Sequence, residues 1–315
     1  MDEQIRRGGI GGSDIAAICG CDEFNNAFGV WASKTGRLSQ APPNARMKIG
    51  KYFERGIAEF YSELTKRPLR YMFDDVQKHP VFPWIIFTPD ALCVDEPRGV
   101  DAKMVNWKFK HLWGETVDDI PARVQLQAHW YMFCTGFPVW DIAALVGDDE
   151  PRIYSVRHDP QIEEFIFHAA EEFWRKYVVA DVQPPIGCSD ASYRWLREHY
   201  PREKSPLIRE ATVEEVAVLE QYEQLRNNHE ALSKEKASLE NDLKQRVGDD
   251  AGIKWEYGKF TWKMTKDREP TDWKLLSHSL MNGRTQEEKD KLIEAFTDAK
   301  AGSRRMYFHS TRNKT

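Results

Sequence analysis

The stretch FTPDALCVDEPRGVDAKMVNWK, residues 87–108, constrains the fold most, because it places charged side chains inside an otherwise apolar, β-rich segment. Residues two apart on an extended strand face the same side, so Asp101 and Lys103 point together while the apolar residues that alternate with them point into the core. The sequence DEPRG at 95–99 has turn chemistry, and a hairpin folded there would bring Asp90 to the same surface. The segment therefore predicts a β-hairpin that gathers two carboxylates and one ammonium group.

Such a cluster favours a particular chemistry. Two carboxylates that converge repel each other, and their pKa values rise unless a cation lies between them. A hard divalent ion with oxygen ligands, Mg²⁺ or Mn²⁺, suits that position. A lysine beside the ion could orient or deprotonate an attacking water and balance the charge of a pentacoordinate phosphate, so the cluster indicates phosphodiester hydrolysis.

The order of periodic segments predicts the fold class. Apolar spacing and turn residues predict, in chain order, the following elements: a helix start at 12–20, a helix at 47–67, short strands between 80 and 105, a helix at 122–136 ending at Gly136, strands at 138–147 and 152–158, and a helix at 160–180. Helices and strands in this alternation indicate an α/β (α+β) chain with a central mixed β-sheet flanked by helices.

Two of the helical segments carry apolar stripes. The stripe of the first, at 47–67, consists of Ile49, Phe53, Ile57, Phe60 and Leu64. The second is a long charged segment at 213–247 with a thin heptad seam formed by Val218, Leu225, Leu232 and Leu239. It belongs to a C-terminal extension, 186–315, that follows a core at 1–185 and also contains a β-hairpin at 253–265 and a terminal strand near 303–310.

Composition narrows the class of protein. The 315 residues are 41% hydrophobic, which is too apolar for disorder, and no apolar run approaches the length of a membrane span. The N-terminal MDEQIRRGGIGGSD lacks an apolar signal region, so we expect an intracellular protein. The five cysteines lack paired metal-ligand spacing. A net charge of −5 neither indicates nor excludes nucleic-acid binding, because the local field at a groove decides it.

An acid-x-Lys triplet is by itself unspecific in a chain so rich in charge. The ordered set GGIGGSDIAAI, IGKYFERGIAEFY, FTPDALC, VDAK and VQLQAHWYMFCTG is more specific. In this order, over roughly residues 5–180, the chain resembles the lambda exonuclease and YqaJ-type viral recombinase branch of the PD-(D/E)xK nucleases. The resemblance implies a restriction-endonuclease-like core.

The resemblance also implies roles for individual residues. Asp90 and Asp101 would bind metal and Lys103 would be the catalytic lysine, with an aspartate at 101 where the lambda enzyme has glutamate. Further positions match the family as follows: the Ala102 backbone carbonyl faces a metal, Glu54 helps to bind a second metal, Gln127 follows the active-site strands, and Arg6 and Ser13 contact the 5′-phosphate of the DNA. Each assignment has a purely structural alternative. Asp90, Asp101 and Lys103 could form a solvated salt bridge on a surface hairpin, and Glu54 could lie at the solvent edge of its helix.

The function implied by the resemblance is that of a phage-type 5′→3′ double-strand DNA exonuclease. It would use two Mg²⁺ ions, with Mn²⁺ able to replace them, release mononucleotides and leave 3′ overhangs for recombination. The resemblance further implies a homotrimer in the cytoplasm of a bacterial host and a single-strand annealing protein as partner. Two alternatives stay open, a non-catalytic DNA-end-binding recombination platform and another PD-(D/E)xK endonuclease.

Overall fold

The computed structural model describes residues 3–38, 44–147, 150–264 and 273–296. The chain divides into two compact units, Met1–Pro201 and Arg202–Thr315. In the part of the chain that the structure describes, no helix combines the length and apolarity needed to cross a membrane.

Short elements alternate along the first unit, as the sequence predicts. In chain order they are α1 (Glu3–Arg7), α2 (Gly12–Ile18), α3 (Ala27–Lys34), α4 (Ala45–Thr65), β1 (Leu69–Tyr71), β2 (Gln77–Lys78), β3 (Ile86–Phe87), β4 (Ala91–Cys93), β5 (Arg98–Val105), 3₁₀ turns at Trp107–Leu112 and Val117–Asp119, α5 (Ala122–Thr135), β6 (Val139–Val146), β7 (Glu150–Arg157), α6 (Pro160–Phe173) with a π turn at Trp174–Val179, and α7 (Asp190–His199). Gly136 ends α5 in the left-handed conformation at φ 71°, where a side chain would be strained.

Five strands form one mixed sheet in the order β1-β4-β5-β6-β7. β4 and β5 form the predicted antiparallel hairpin, with Ala91 opposite Val100. β6 runs parallel to β5 because α5 carries the chain back across the sheet, and β7 returns antiparallel. The predicted fold class, an α/β chain with a central mixed β-sheet flanked by helices, is confirmed.

Helices cover both faces of the sheet. On one face, Ile57 and Tyr61 of α4 pack against Val100 and Ala102 of β5. The opposite face belongs to the larger core cluster that includes residues of α2, α5 and α6. β5 is therefore covered on both faces. Asp101 is only 2% exposed, so it does not lie on a solvated surface hairpin.

The apolar stripe predicted for α4 is only partly correct. Ile57 is buried, but Ile49, Phe53, Phe60 and Leu64 are each between 44% and 51% exposed. The face toward the sheet is completed instead by Ala58 and Tyr61, both fully buried. The stripe prediction failed because spacing marks an apolar face without saying how much of it a neighbouring element covers.

α7 begins beyond residue 185 and packs on α3. Gly29 permits the close approach, because a Cβ there would lie 2.8 Å from Ala191. Asn26 fixes the contact by donating to Ser192 Oγ at 3.2 Å and accepting from Ser189 Oγ at 3.1 Å. The positions of α3 and α7 relative to each other are thus set by both packing and hydrogen bonds.

The second unit contains α8 (Val213–Val247), β8 (Gly252–Trp255), β9 (Gly258–Thr261), α9 (Trp273–Met281) and α10 (Gln286–Ala295). α8 spans the residues of the expected long helix, and Thr212 begins it with a capping box. Its heptad seam is exposed, with Leu225 and Leu232 each above 60%. β8 and β9 pair as the expected hairpin. The terminal strand expected near 303–310 lies outside the described residues.

Candidate functional site

A cleft of about 290 Å³ opens beside the end of β4. Helices α1, α2, α4 and α5 and the chain between β3 and β4 line it. Five of the residues singled out in the sequence line this cleft: Arg6, Ser13, Glu54, Asp90 and Gln127. Segments far apart in the chain therefore converge here, as the ordered motifs predict.

Asp90 contacts β5 through the backbone of Ala102. Pairing between β4 and β5 ends at Val100, which leaves the next N–H on that edge of β5 without a strand partner. Ala102 donates that N–H to Asp90 Oδ2 at 2.7 Å. The N–H and C=O of one strand residue point to the same side, so the Ala102 carbonyl faces the Asp90 side as well.

Asp101 and Lys103 lie on the face of β5 that is turned toward α5. Asp101 is buried, and its Oδ2 forms an ion pair with Lys103 Nζ. Burial opposes the charge of Lys103, but the carboxylates of Asp101 and Asp90 outweigh it and raise the pKa of the lysine. Burial, followed by repulsion from Asp101, raises the pKa of Asp90 well above its ordinary value. The ammonium group thus holds together two carboxylates that otherwise repel each other.

Glu54 joins this electrostatic cluster from α4. It is half-buried in the cleft, and burial raises its pKa, with Lys103 opposing and Asp101 reinforcing the shift. Within the described residues, no three His, Cys, Asp or Glu side chains stand close enough together to hold a metal ion. The types of donor nevertheless suit a hard cation, since Asp90, Asp101 and Glu54 are carboxylates that influence one another electrostatically and the Ala102 carbonyl adds a further oxygen.

Gln127 is fixed within the wall of the cleft. Its Nε2 donates to Tyr131 Oη at 2.8 Å, and that hydroxyl donates to the Thr88 carbonyl at 3.2 Å. Gly12 packs directly against this pair, because a Cβ there would lie 2.8 Å from the Tyr131 ring. Burial raises the pKa of Tyr131 well above its ordinary value, so the hydroxyl stays protonated and acts as a donor. Gln125, by contrast, points away and donates to the Ile120 carbonyl at 3.0 Å.

Arg6 and Ser13 approach the cleft from the neighbouring helices α1 and α2. A buried lysine that the sequence did not single out ties these helices together. Lys34 Nζ lies 2.7 Å from Asp14 Oδ2 and donates to the Arg6 carbonyl at 2.9 Å. Asp14 in turn accepts from the Gly11 N–H at 2.9 Å. One buried ion pair therefore fixes both segments that carry Arg6 and Ser13.

Replacing Lys34 by methionine is expected to destabilise the first unit by about 3 kcal/mol, because Asp14 would keep a largely buried charge without its partner. Urea denaturation followed by circular dichroism measures this free energy of unfolding. The matched control is Lys48→Met at an exposed position of α4, which should change stability by less than about 0.5 kcal/mol. Equal stability of the two variants would show that the Lys34–Asp14 pair contributes nothing.

Several other basic side chains have local partners. Lys51 lines the cleft and pairs with Asp74 at 2.8 Å. Lys110 pairs with Glu150 at 2.6 Å. His79 accepts the Val81 N–H at 3.1 Å on Nδ1 and stacks on Phe133, which is a structural role.

Comparisons with known proteins agree with the motifs. Residues 3–138 match the family model of the YqaJ-like viral recombinase domain, which confirms the resemblance inferred from the sequence. The uncharacterised protein YqaJ of Bacillus subtilis (strain 168) is 23% identical over 247 residues, which are 78% of this chain and 76% of that protein.

Two solved structures are similar at low identity. An alkaline exonuclease from Laribacter hongkongensis is 16% identical with a TM-score of 0.46, covering 62% of this chain and 96% of that chain. A phage related exonuclease from Haemophilus somnus 129PT is 11% identical with a TM-score of 0.42, covering 55% of this chain and 96% of that chain.

Proposed function

We propose that this chain, with its YqaJ-like viral recombinase domain, is a metal-dependent 5′→3′ exonuclease that degrades one strand of duplex DNA from its end. The observation that carries the proposal is the buried group of Asp90, Asp101 and Lys103 beside a cleft that Arg6 also lines. Two repelling carboxylates with a neutralising cation have little value for stability, since burying charge costs free energy. In phosphodiester hydrolysis the same three charges would bind a metal ion and stabilise the reacting phosphate.

The ion pair of Lys103 with Asp101 places a protonated ammonium group beside the proposed metal ligands. In hydrolysis a water oxygen bonds to phosphorus and gives up a proton to solvent, the bond from phosphorus to the 3′ oxygen breaks, and that oxygen leaves with a proton from solvent. A lysine that stays protonated is a donor and a positive charge, so Lys103 would orient the water and stabilise the charge that develops on the phosphoryl oxygens. The products are a mononucleotide and a strand with a new 5′-phosphate.

The residues that would hold metal are Asp90, Asp101 and Glu54, together with the Ala102 carbonyl. Mg²⁺ bound there would supply Lewis acidity for the attacking water and for the leaving 3′ oxygen, and Mn²⁺ could replace it. Gln127, which donates to Tyr131 Oη, would contact the DNA near the scissile phosphate. Arg6 and Ser13, which line the cleft from α1 and α2, would bind the terminal 5′-phosphate.

The experiment that tests this function compares linear duplex DNA with a covalently closed circle of the same sequence. Purified protein is incubated with each DNA in Mg²⁺ or in EDTA, and the products are separated by size. We expect mononucleotides from the linear DNA in Mg²⁺ only and an intact circle. Nicking of the circle would indicate an endonuclease, and tight end binding without release would indicate a recombination platform.

Replacing Arg6 by glutamine should slow digestion of 5′-phosphorylated ends by about tenfold and leave 5′-hydroxyl ends unaffected. The reason is the loss of one charge-assisted hydrogen bond to phosphate, worth about 1.5–3 kcal/mol. Initial rates on the two kinds of end measure the effect. Arg70→Gln, at an exposed position of β1, is the matched control. Equal slowing on both ends would exclude Arg6 as the reader of the terminal phosphate.

The proposal extends to assembly and to partners. Its support is the resemblance to lambda-type enzymes, which implies a homotrimer that encircles DNA in the host cytoplasm and hands a 3′ overhang to a single-strand annealing protein. Light scattering of the purified chain at several concentrations measures the number of subunits, and a stable monomer would contradict the ring.

A further inference from the structure

A second cavity, of about 500 Å³, lies between α3 and α7, and we call it the α3–α7 groove. Arg6 and Asp14 line both this groove and the cleft, so the two cavities adjoin at α1 and α2. Apart from Arg6, the proposed hydrolysis uses no residue that lines the groove. Its walls nevertheless carry polar, charged and aromatic side chains suited to a ligand.

The charge of the groove is mainly positive. Its basic side chains are Arg6, Lys34, Arg194 and Arg197, and its acidic side chains are Asp14 and Asp190. Lys34 and Asp14 neutralise each other at 2.7 Å. Arg194 Nε lies 3.8 Å from Glu198 Oε1, so the positive charge that remains is carried chiefly by Arg6 and Arg197, whose guanidinium groups can contact phosphate in a bidentate manner.

Two aromatic side chains line the same groove and face solvent. Phe24 is 51% exposed and Tyr193 is 58% exposed, although both belong to a well-packed unit. Tyr193 and Arg197 are four residues apart on α7 and therefore share one helical face. Arg123 covers part of the Phe24 ring, with its guanidinium carbon 5.2 Å from the ring centroid, and so limits how the ring can tilt.

We infer that the α3–α7 groove binds unpaired nucleotides at the DNA end. A groove that combines arginines for the backbone with exposed aromatic rings for the bases is the usual arrangement for single-stranded DNA. The inference rests on the proposed function, because it takes DNA as the ligand. The nucleotides come either from a 5′ tail of the strand that enters the cleft or from a 3′ tail of its complement, and both present the same chemistry.

The test measures binding in EDTA, so that it does not depend on hydrolysis. Fluorescein-labelled duplexes with a blunt end, a short 5′ thymidine tail or a short 3′ thymidine tail are titrated with protein, and anisotropy is recorded. The variant is Tyr193→Ala with Arg197→Gln. The matched control is Phe165→Ala with Arg175→Gln, two exposed positions on α6 and the turn after it that line neither cavity.

For the Tyr193/Arg197 variant we expect about tenfold weaker binding to one tailed duplex, less than twofold change on the blunt duplex, and wild-type behaviour of the control. The tail that is affected identifies the strand that occupies the groove. Unchanged binding to both tails would overturn the inference, and so would an equal loss on the blunt duplex. Wild-type protein that binds tails but releases no nucleotides in Mg²⁺ would refute the proposed nuclease and leave the groove intact.

Discussion

Replacing Asp101 by asparagine is expected to reduce nucleotide release from linear DNA by about a thousandfold or more. Asparagine keeps the size of the side chain but removes the charge that would hold Mg²⁺ beside Lys103. Metal-ion stabilisation of a phosphoryl transition state is worth several kcal/mol, and each 1.4 kcal/mol corresponds to tenfold in rate. Steady-state release of labelled mononucleotides at saturating Mg²⁺ measures the loss.

The same variant should remain folded. Asp101 attracts Lys103 through an ion pair and repels the carboxylate of Asp90. Asparagine at 101 removes both the attraction and the repulsion, so the two effects on stability offset each other. Thermal unfolding by circular dichroism should therefore give a midpoint within a few degrees of wild type. An inactive variant that has also unfolded would not identify a ligand, whereas a folded variant with normal release would refute the assignment of Asp101.

Replacing Asp141 by alanine is expected to cause the largest loss of stability, about 4 kcal/mol. This carboxylate is 1% exposed on β6 and accepts from Tyr61 Oη at 2.6 Å, Ser155 Oγ at 2.7 Å and Arg98 Nη1 at 2.7 Å. Alanine would leave a buried hydroxyl and a guanidinium group without their acceptor. Burial and the bond to Asp141 also raise the pKa of Tyr61, so the tyrosine stays protonated and remains a donor.

Urea denaturation measures the loss for Asp141→Ala, and Asp141→Asn provides the control because its amide oxygen can still accept hydrogen bonds. The asparagine variant should lose less than half as much free energy of unfolding as the alanine variant. DNA hydrolysis by either variant should persist under conditions where it is folded, since Asp141 lies on the α4 side of the sheet, opposite to Asp101. Wild-type stability of Asp141→Ala would contradict the structural role of this network.

Local patterns predicted the central part of the fold well. The alternation in 100–105 predicts a strand with Asp101 and Lys103 on one side, and the turn residues at 95–99 predict the hairpin, although the observed strand already begins at Arg98. The C-terminal end of α5 follows from Gly136, whose left-handed conformation ends that helix. Each of these features depends on a few neighbouring residues, which is why a single sequence contains enough information to predict them.

Features that depend on distant residues were not predictable. Nothing near Lys34 or Asp141 in the sequence reveals that the first fixes Arg6 or that the second accepts from Tyr61, eighty positions away. The prediction of which α4 residues are buried failed for the same reason. The apolar stripe that ends at Leu64 extends beyond the part of the helix that the sheet covers. α3 and α7 were missed since each is short and begins in a turn-rich segment, where helical periodicity is hard to detect.

Mg²⁺-dependent release of mononucleotides from 5′-phosphorylated linear duplex DNA, measured for wild type beside Lys103→Met, is the most direct test of the proposed nuclease site. Wild type should release mononucleotides. The variant should bind DNA ends normally in EDTA yet release nucleotides at least a hundredfold more slowly, because it lacks the positive charge at the reacting phosphate. Equal release by both proteins, or end binding without release by wild type, would contradict a hydrolytic site at Asp90, Asp101 and Lys103.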